Sequence, residues 1–113
     1  MRTAPFLSVM TTPLPGKGGL YDRGDLVRLT AAFTDLSDNP ADPSGVTLRI
    51  KEPDASVTVL TYPDDITRTA TGQYYYDLLI SESGDFYYRF EGAGNVTAAA
   101  ENLFHVHKSN VLG

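Results

Sequence analysis

The strongest constraint on this chain is a period of two. From Asp25, the stretch DLVRLTAAFT puts Val27, Leu29, Ala31 and Phe33 on alternate positions, with Arg28, Thr30 and Ala32 between them. Successive side chains of a strand point to opposite faces, so this is the pattern of a strand with one face buried. The alternation returns in Val46, Leu48 and Ile50 against Thr47, Arg49 and Lys51. It returns again in Tyr74, Tyr76, Leu78 and Ile80 against Tyr75 and Asp77, and in Phe86, Tyr88 and Phe90 against Tyr87 and Arg89. Residues 57–62 are rich in β-branched side chains, and a last strand is expected over about residues 96–107, with Phe104 and Val106 inward.

Clusters of turn formers separate these runs: Asp38-Asn39-Pro40 and Asp42-Pro43-Ser44-Gly45, Glu52-Pro53-Asp54, Pro63-Asp64-Asp65, residues 81–85 around Gly84, and the glycine-rich residues 91–95. No stretch shows a capped 3.6-residue period, so little or no helix is expected. About seven short strands at this spacing predict an all-β domain, an immunoglobulin-like β-sandwich of two packed sheets. At 113 residues the chain fits one such domain and one modest core. It has no cysteine, which excludes a disulfide framework and a thiolate metal site. Packing must therefore hold it together. The aromatic pair of strands over residues 72–90 is expected to anchor the core, at roughly 2–3 kcal/mol for each buried Tyr or Phe.

Residues 1–20 have a different character. They contain Pro5, Pro13, Pro15, Gly16, Gly18 and Gly19, and their only charges are Arg2 and Lys17. Proline removes donors and glycine loosens the backbone, so regular structure is not expected there. Phe6, Leu7, Val9, Met10 and Leu14 make the segment too apolar for a plain solvated linker. It is read as an extended N-terminal arm whose apolar residues are candidate contacts with a partner chain; a disordered terminus is the rival reading. The sandwich is then expected over residues 21–108 and a short tail over residues 109–113.

The net charge is −5, from 9 basic and 14 acidic residues, and every acid lies at Asp22 or beyond. That balance weighs against nucleic acid or an anionic membrane as partner. No apolar run approaches the length of a membrane span. Pro5 and Ser8 interrupt the apolar stretch after Arg2, so no signal peptide is read and the mature chain is expected to begin at or near Met1.

Several short motifs have simpler explanations than the chemistry they suggest. Arg23-Gly24-Asp25 spells an integrin-binding tripeptide, but it leads straight into a strand and serves as a turn. Gly16-Lys17-Gly18-Gly19 lacks the strand, the helix and the Ser or Thr that a phosphate loop requires. Asn95-Val96-Thr97 fits a glycosylation sequon, idle without a secretory signal. His105 and His107 lie two apart on one outward strand face, where a metal would still need a third ligand. Asp35, Asp38 and Asp42 around Asn39 form a loop that is a weak calcium candidate, but the spacing is not that of an EF-hand and Asp-Pro turns explain the same residues. No Ser–His–Asp set, paired-carboxylate motif or Gly-x-Ser-x-Gly elbow is legible, so the expectation is a protein without enzymatic activity or cofactor. Outward Tyr75 and Tyr87, on strands expected to lie close together, are candidates for an aromatic platform that binds a sugar or a protein; cross-strand stabilisation is the alternative.

The spacing Glu82-x-Gly84-x-Phe86-x-Tyr88 is similar to the immunoglobulin pattern of acid, Gly, Tyr and Cys at the start of strand F. Phe86 takes the tyrosine-corner position without its hydroxyl, Tyr88 takes the cysteine position, and the chain has no Trp. Over residues 21–107, the succession YDRGDLVRLTAAFTD, DPSGVTLRIKEPDAS, GQYYYDLLISESGDFYYRFEG and AAAENLFHV resembles small immunoglobulin-like virion structural proteins of tailed phages and prophages. This resemblance implies a virion protein made in the bacterial host cytoplasm, most readily a capsid decoration or cement protein, otherwise a head–tail neck or tail component. Its partners would be major capsid or neck proteins, with homo-oligomerisation left open. A carbohydrate- or cell-surface-binding adhesion module is the remaining alternative.

Overall fold

The computed structural model of the protein describes residues 4–14, 21–108 and 111, without the side chains of residues 13 and 14. Its elements are β1 (Phe6–Leu14), β2 (Leu26–Thr34), β3 (Gly45–Lys51), β4 (Val57–Thr61), β5 (Thr67–Ala70), β6 (Gln73–Leu79), β7 (Gly84–Ala93) and β8 (Ala98–Val106), with no helix among the described residues. They build two antiparallel sheets, ordered β1-β2-β6-β5 and β4-β3-β7-β8. The first order is A-B-E-D of the immunoglobulin constant-type sandwich, and the second is its C-F-G sheet with one strand added beside C. The expected sandwich is therefore present, with eight strands where about seven were expected.

Strand alternation decides what each sheet buries. Val27, Leu29, Ala31 and Phe33 of β2 are buried, as are Val46, Leu48 and Ile50 of β3 and Phe86, Tyr88 and Phe90 of β7. A slip of one residue would turn each of these sets to solvent, so the register is strongly fixed. The aromatic rings pack within each sheet and between them: Phe86 stacks on Phe104 at 5.0 Å in the second sheet, Phe33 meets Tyr74 edge-on at 5.8 Å in the first, and Tyr62, just after β4, meets Tyr74 of β6 at 5.2 Å. Close approach also dictates Gly72, in the turn between β5 and β6. Its φ is +73°, and a Cβ there would lie 2.5 Å from the Phe33 carbonyl oxygen. The Phe33 N–H donates to the Gly72 carbonyl at 2.8 Å, clamping that turn onto the end of β2.

The expected arm is the main correction. Residues 6–14 are a regular edge strand, paired with β2 from Phe6 opposite Thr34 to Leu14 opposite Leu26. The reason is visible in the alternation: Leu7 is buried, Val9 packs against the core, and the Thr11 hydroxyl hydrogen-bonds the Tyr88 hydroxyl at 2.7 Å. Pro5 precedes the strand and Pro13 sits near its end, on a sheet edge where a missing donor is tolerated. The rest of the expected arm, residues 1–3 and 15–20, lies outside the described residues, as do residues 109, 110, 112 and 113 of the expected tail. β5 also escapes a reading by periodicity, because all four of its residues are exposed.

The packing of β1 is directly measurable. Leu7→Ala is expected to lower stability by about 2–4 kcal/mol in urea unfolding, whereas Met10→Ala, at a 61% exposed position of the same strand, should change it by no more than about 0.5 kcal/mol. Equal, small effects at the two positions would show that β1 is not part of the core.

Candidate functional site

Burying Phe86, Tyr88 and Phe90 turns the intervening residues of β7 onto the outer face of the second sheet. There the register sets Val57, Lys51, Tyr87 and Leu103 in one row across all four strands. The next row is Val59, Arg49, Arg89 and Glu101. Val57 is 58% exposed, Val59 54%, Tyr87 48% and Leu103 53%. Beside them runs a linked set of ion pairs: Arg89 reaches Glu91 at 3.0 Å and Glu101 at 2.8 Å, and Arg49 pairs with Glu91. Exposed ion pairs contribute little stability one by one. Here they compensate one another's charge and leave an apolar row with Lys51 in it, over a groove of about 430 Å³.

The structure scatters the residues expected to form contacts. Phe6 and Met10 are exposed on the outer side of the first sheet, Leu7 is in the core, and Val9 packs against it. Leu14 pairs with Leu26, and its side chain lies outside the described residues. Strand alternation thus divides what an extended arm would have offered together. Tyr75 and Tyr87 do not form a platform. Tyr75 lies on β6 in the first sheet, with the Arg28 guanidinium 3.8 Å from its ring centre and Arg28 bonded to Asp77 at 2.8 and 3.0 Å. Tyr87 lies on β7 in the other sheet, because the chain changes sheets between these two strands. Val57, Val59 and Leu103 were legible as outward from the phase of Leu60 and Phe104, but no motif draws attention to them.

Residues 22–25 form a turn in which the Asp25 N–H donates to the Asp22 carbonyl at 3.1 Å and the Gly24 N–H to Ile80 at 2.8 Å. The Gly16-Lys17-Gly18-Gly19 segment lies outside the described residues. His105 and His107 are both outward, their ring centres 6.0 Å apart, and His105 Nδ1 is 2.7 Å from Asp85 Oδ1.

The aspartate loop acts as a fastener. Asp35 Oδ1 accepts the N–H groups of Ser37 and Asn39 at 2.8 and 3.1 Å. Asp42 accepts from Arg68 at 3.1 and 3.0 Å, from the Gly72 N–H at 2.7 Å and from the Tyr74 hydroxyl at 2.9 Å. The Arg68 guanidinium, followed by the Gly72 N–H, holds the Asp42 carboxyl down at about 2. Burial, followed by its bond to Asp42, pushes the Tyr74 phenol up to about 12. Asp42 thus ties the β2–β3 loop to the β5–β6 hairpin, and its oxygens are already engaged by protein donors. At the opposite end of the sandwich, Glu52, Asp54 and Glu82 bring one carboxylate oxygen each within 4.8 Å of one another. The Ser56 hydroxyl and then its N–H hold the Asp54 carboxyl below its ordinary value. Exposed acids cluster in this way without an ion, and no second feature at the spot points to one.

No protein-family model matches this chain, and no significantly similar curated protein or solved structure was found.

Asp42 gives the domain a defined acid sensitivity. A carboxyl held down in the folded state contributes stability that is fully present above its ordinary value near 3.8 and is lost as pH falls through about 2. Asp42→Asn is expected to cost about 1 kcal/mol at neutral pH, a modest value because solvent screens this part-exposed pair. It should also flatten the fall of melting temperature in that acid window. Parallel pH profiles for the two proteins would contradict the assignment.

Proposed function

We propose that this protein is a non-enzymatic structural component of a tailed-phage virion that binds the capsid surface as a decoration or cement protein. The adhesive part of this reading is carried by one observation, the exposed row of Val57, Tyr87 and Leu103 on a rigid sheet face, with Val59 beside it. Exposed apolar side chains gathered on one face are what protein interfaces use, and Tyr and Arg are frequent anchors there. Tyr87 holds that position, with Lys51 on one side, Leu103 on the other and Arg89 two residues along the same strand. The virion part rests on the resemblance of residues 21–107 to small immunoglobulin-like phage proteins. A head–tail neck or tail position is the alternative within the same class. The sugar-binding reading drew on Tyr75 and Tyr87 acting together, and they occupy different sheets.

Tyr87→Ala is expected to weaken binding to heads of the phage that encodes the protein at least tenfold, about 1.4 kcal/mol, with the melting temperature unchanged. Quantitative mass spectrometry of purified virions separates the positions. On the order of hundreds of copies fits the repeated sites of a shell, and roughly a dozen fits a ring at the neck. Absence from purified virions would sink the reading.

A further inference from the structure

We propose that the open edge of β4 is a docking site for an extended segment of a partner protein, one that carries β-branched residues between flanking lysines or arginines. The inference rests on the adhesion reading above and supplies its partner's chemistry. β4 is the outer strand of the second sheet, and among the described residues no strand pairs with its other side. The Tyr62 N–H donates to the Val46 carbonyl at 3.1 Å, and the register continues through Leu60 opposite Leu48 and Thr58 opposite Ile50. Hydrogen bonding alternates along an antiparallel pair, so the N–H and C=O groups of Val57 and Val59 point away from β3, toward the open edge. Thr61 shares their phase and shows where it leads. Its N–H is held by the Asp65 carboxylate at 3.1 Å, and its carbonyl accepts the N–H groups of Asp65 and Ile66.

The other three edges carry the usual guards against strand addition. β1 contains Pro13 and lies against β8. β5 has four residues, a register irregularity and Arg68. β8 carries Glu101, its Leu103 N–H is held by the Asn102 side chain at 2.8 Å, and its end is bridged by Tyr21. β4, with the sequence VTVLT, has no proline, glycine or charge. Sheet edges are ordinarily blunted by such features, and an edge left open is a template for another strand.

Charge selects the occupant. Glu52 and Asp54 lie just before β4, and Asp64 and Asp65 just after it. Of the cations opposite on β3, Arg49 is paired with Glu91, leaving Lys51 without an ion pair among the described residues. A second copy's β4 would bring acids against acids whether the two strands ran parallel or antiparallel. A strand with positive ends has complementary charge at both.

The test titrates the full chain, labelled with 15N, with the capped peptide Lys-Thr-Val-Thr-Val-Thr-Lys up to roughly millimolar, the weak range expected of so short a strand. Saturable amide shifts centred on Val57 and Val59 are expected. Affinity should fall at least tenfold when glutamate replaces both lysines of the peptide, and at least tenfold when the peptide's threonines and valines are all N-methylated, which blocks both of its edges and leaves the protein untouched. Val59→Pro removes an edge donor and no β3–β4 bond, so it should fold and lose binding at least tenfold. No shifts at β4, equal affinity for the lysine and glutamate peptides, or indifference to Val59→Pro would overturn the proposal. So would self-association of the peptide-free protein that Val59→Pro abolishes, since the occupant would then be a second copy. The two readings fail separately. Head binding lost in Tyr87→Ala but kept in Val59→Pro sinks the edge site alone. Absence of head binding beside peptide binding as described sinks the virion reading alone.

Discussion

The burial of Phe86, Tyr88 and Phe90 in the centre of the second sheet is the constraint on which the rest depends. A chain with neither disulfide nor tryptophan has to close its sandwich with rings, and these three meet Phe104 and one another in edge-on, tilted and stacked contacts. Fixing their inward phase fixes Tyr87, Arg89 and Glu91 outward, and the pairing with β3 and β8 then builds the rows of the outer face. The surface is a consequence of the core. A change that let β7 slip by one residue would destroy both together.

Tyr88 also does more than fill space. It stands where an immunoglobulin strand F has its cysteine, and its hydroxyl reaches Thr11 of β1 at 2.7 Å and Asn102 of β8 at 3.4 Å. A hydrogen bond thus joins the two sheets from this position, although it reaches β1 rather than β2, where the partner cysteine of an immunoglobulin disulfide stands. Burial pushes the Tyr88 phenol above its ordinary value, which favours the neutral hydroxyl that both bonds use. A hydrogen bond of this kind contributes about 1 kcal/mol, less than a disulfide, so the packing of the aromatic and aliphatic core contributes most of what holds the two sheets together.

Much of this was legible in the sequence where local pattern and global fold agree. β2, β3, β6 and β7 follow from alternation between turn formers, and so do their inward and outward residues. β1 was hidden because its prolines and the glycines beyond it suggested irregular chain, although Leu7, Val9 and Thr11 kept the period of two. β5 was hidden because TRTA buries nothing and so has no pattern to show. The pairing of Tyr75 with Tyr87 failed for a topological reason. Consecutive strands usually lie side by side, but here the chain crosses between sheets after Leu79. Asp42 could be seen as a turn residue, but its partners Arg68, Gly72 and Tyr74 come from a hairpin distant in sequence, and no local rule joins them.

Recognition on this reading belongs to the outer face and open edge of the second sheet, with the first sheet and the Asp42 fastening as support. Amide hydrogen exchange of the protein free and bound to phage heads tests this most directly, because it reports every strand at once. The predicted result is added protection at Val57 and Val59, with β1, β2 and the β5–β6 hairpin unchanged. Protection confined to the first sheet, or to the loops around Asp42 and Asn95, would contradict it.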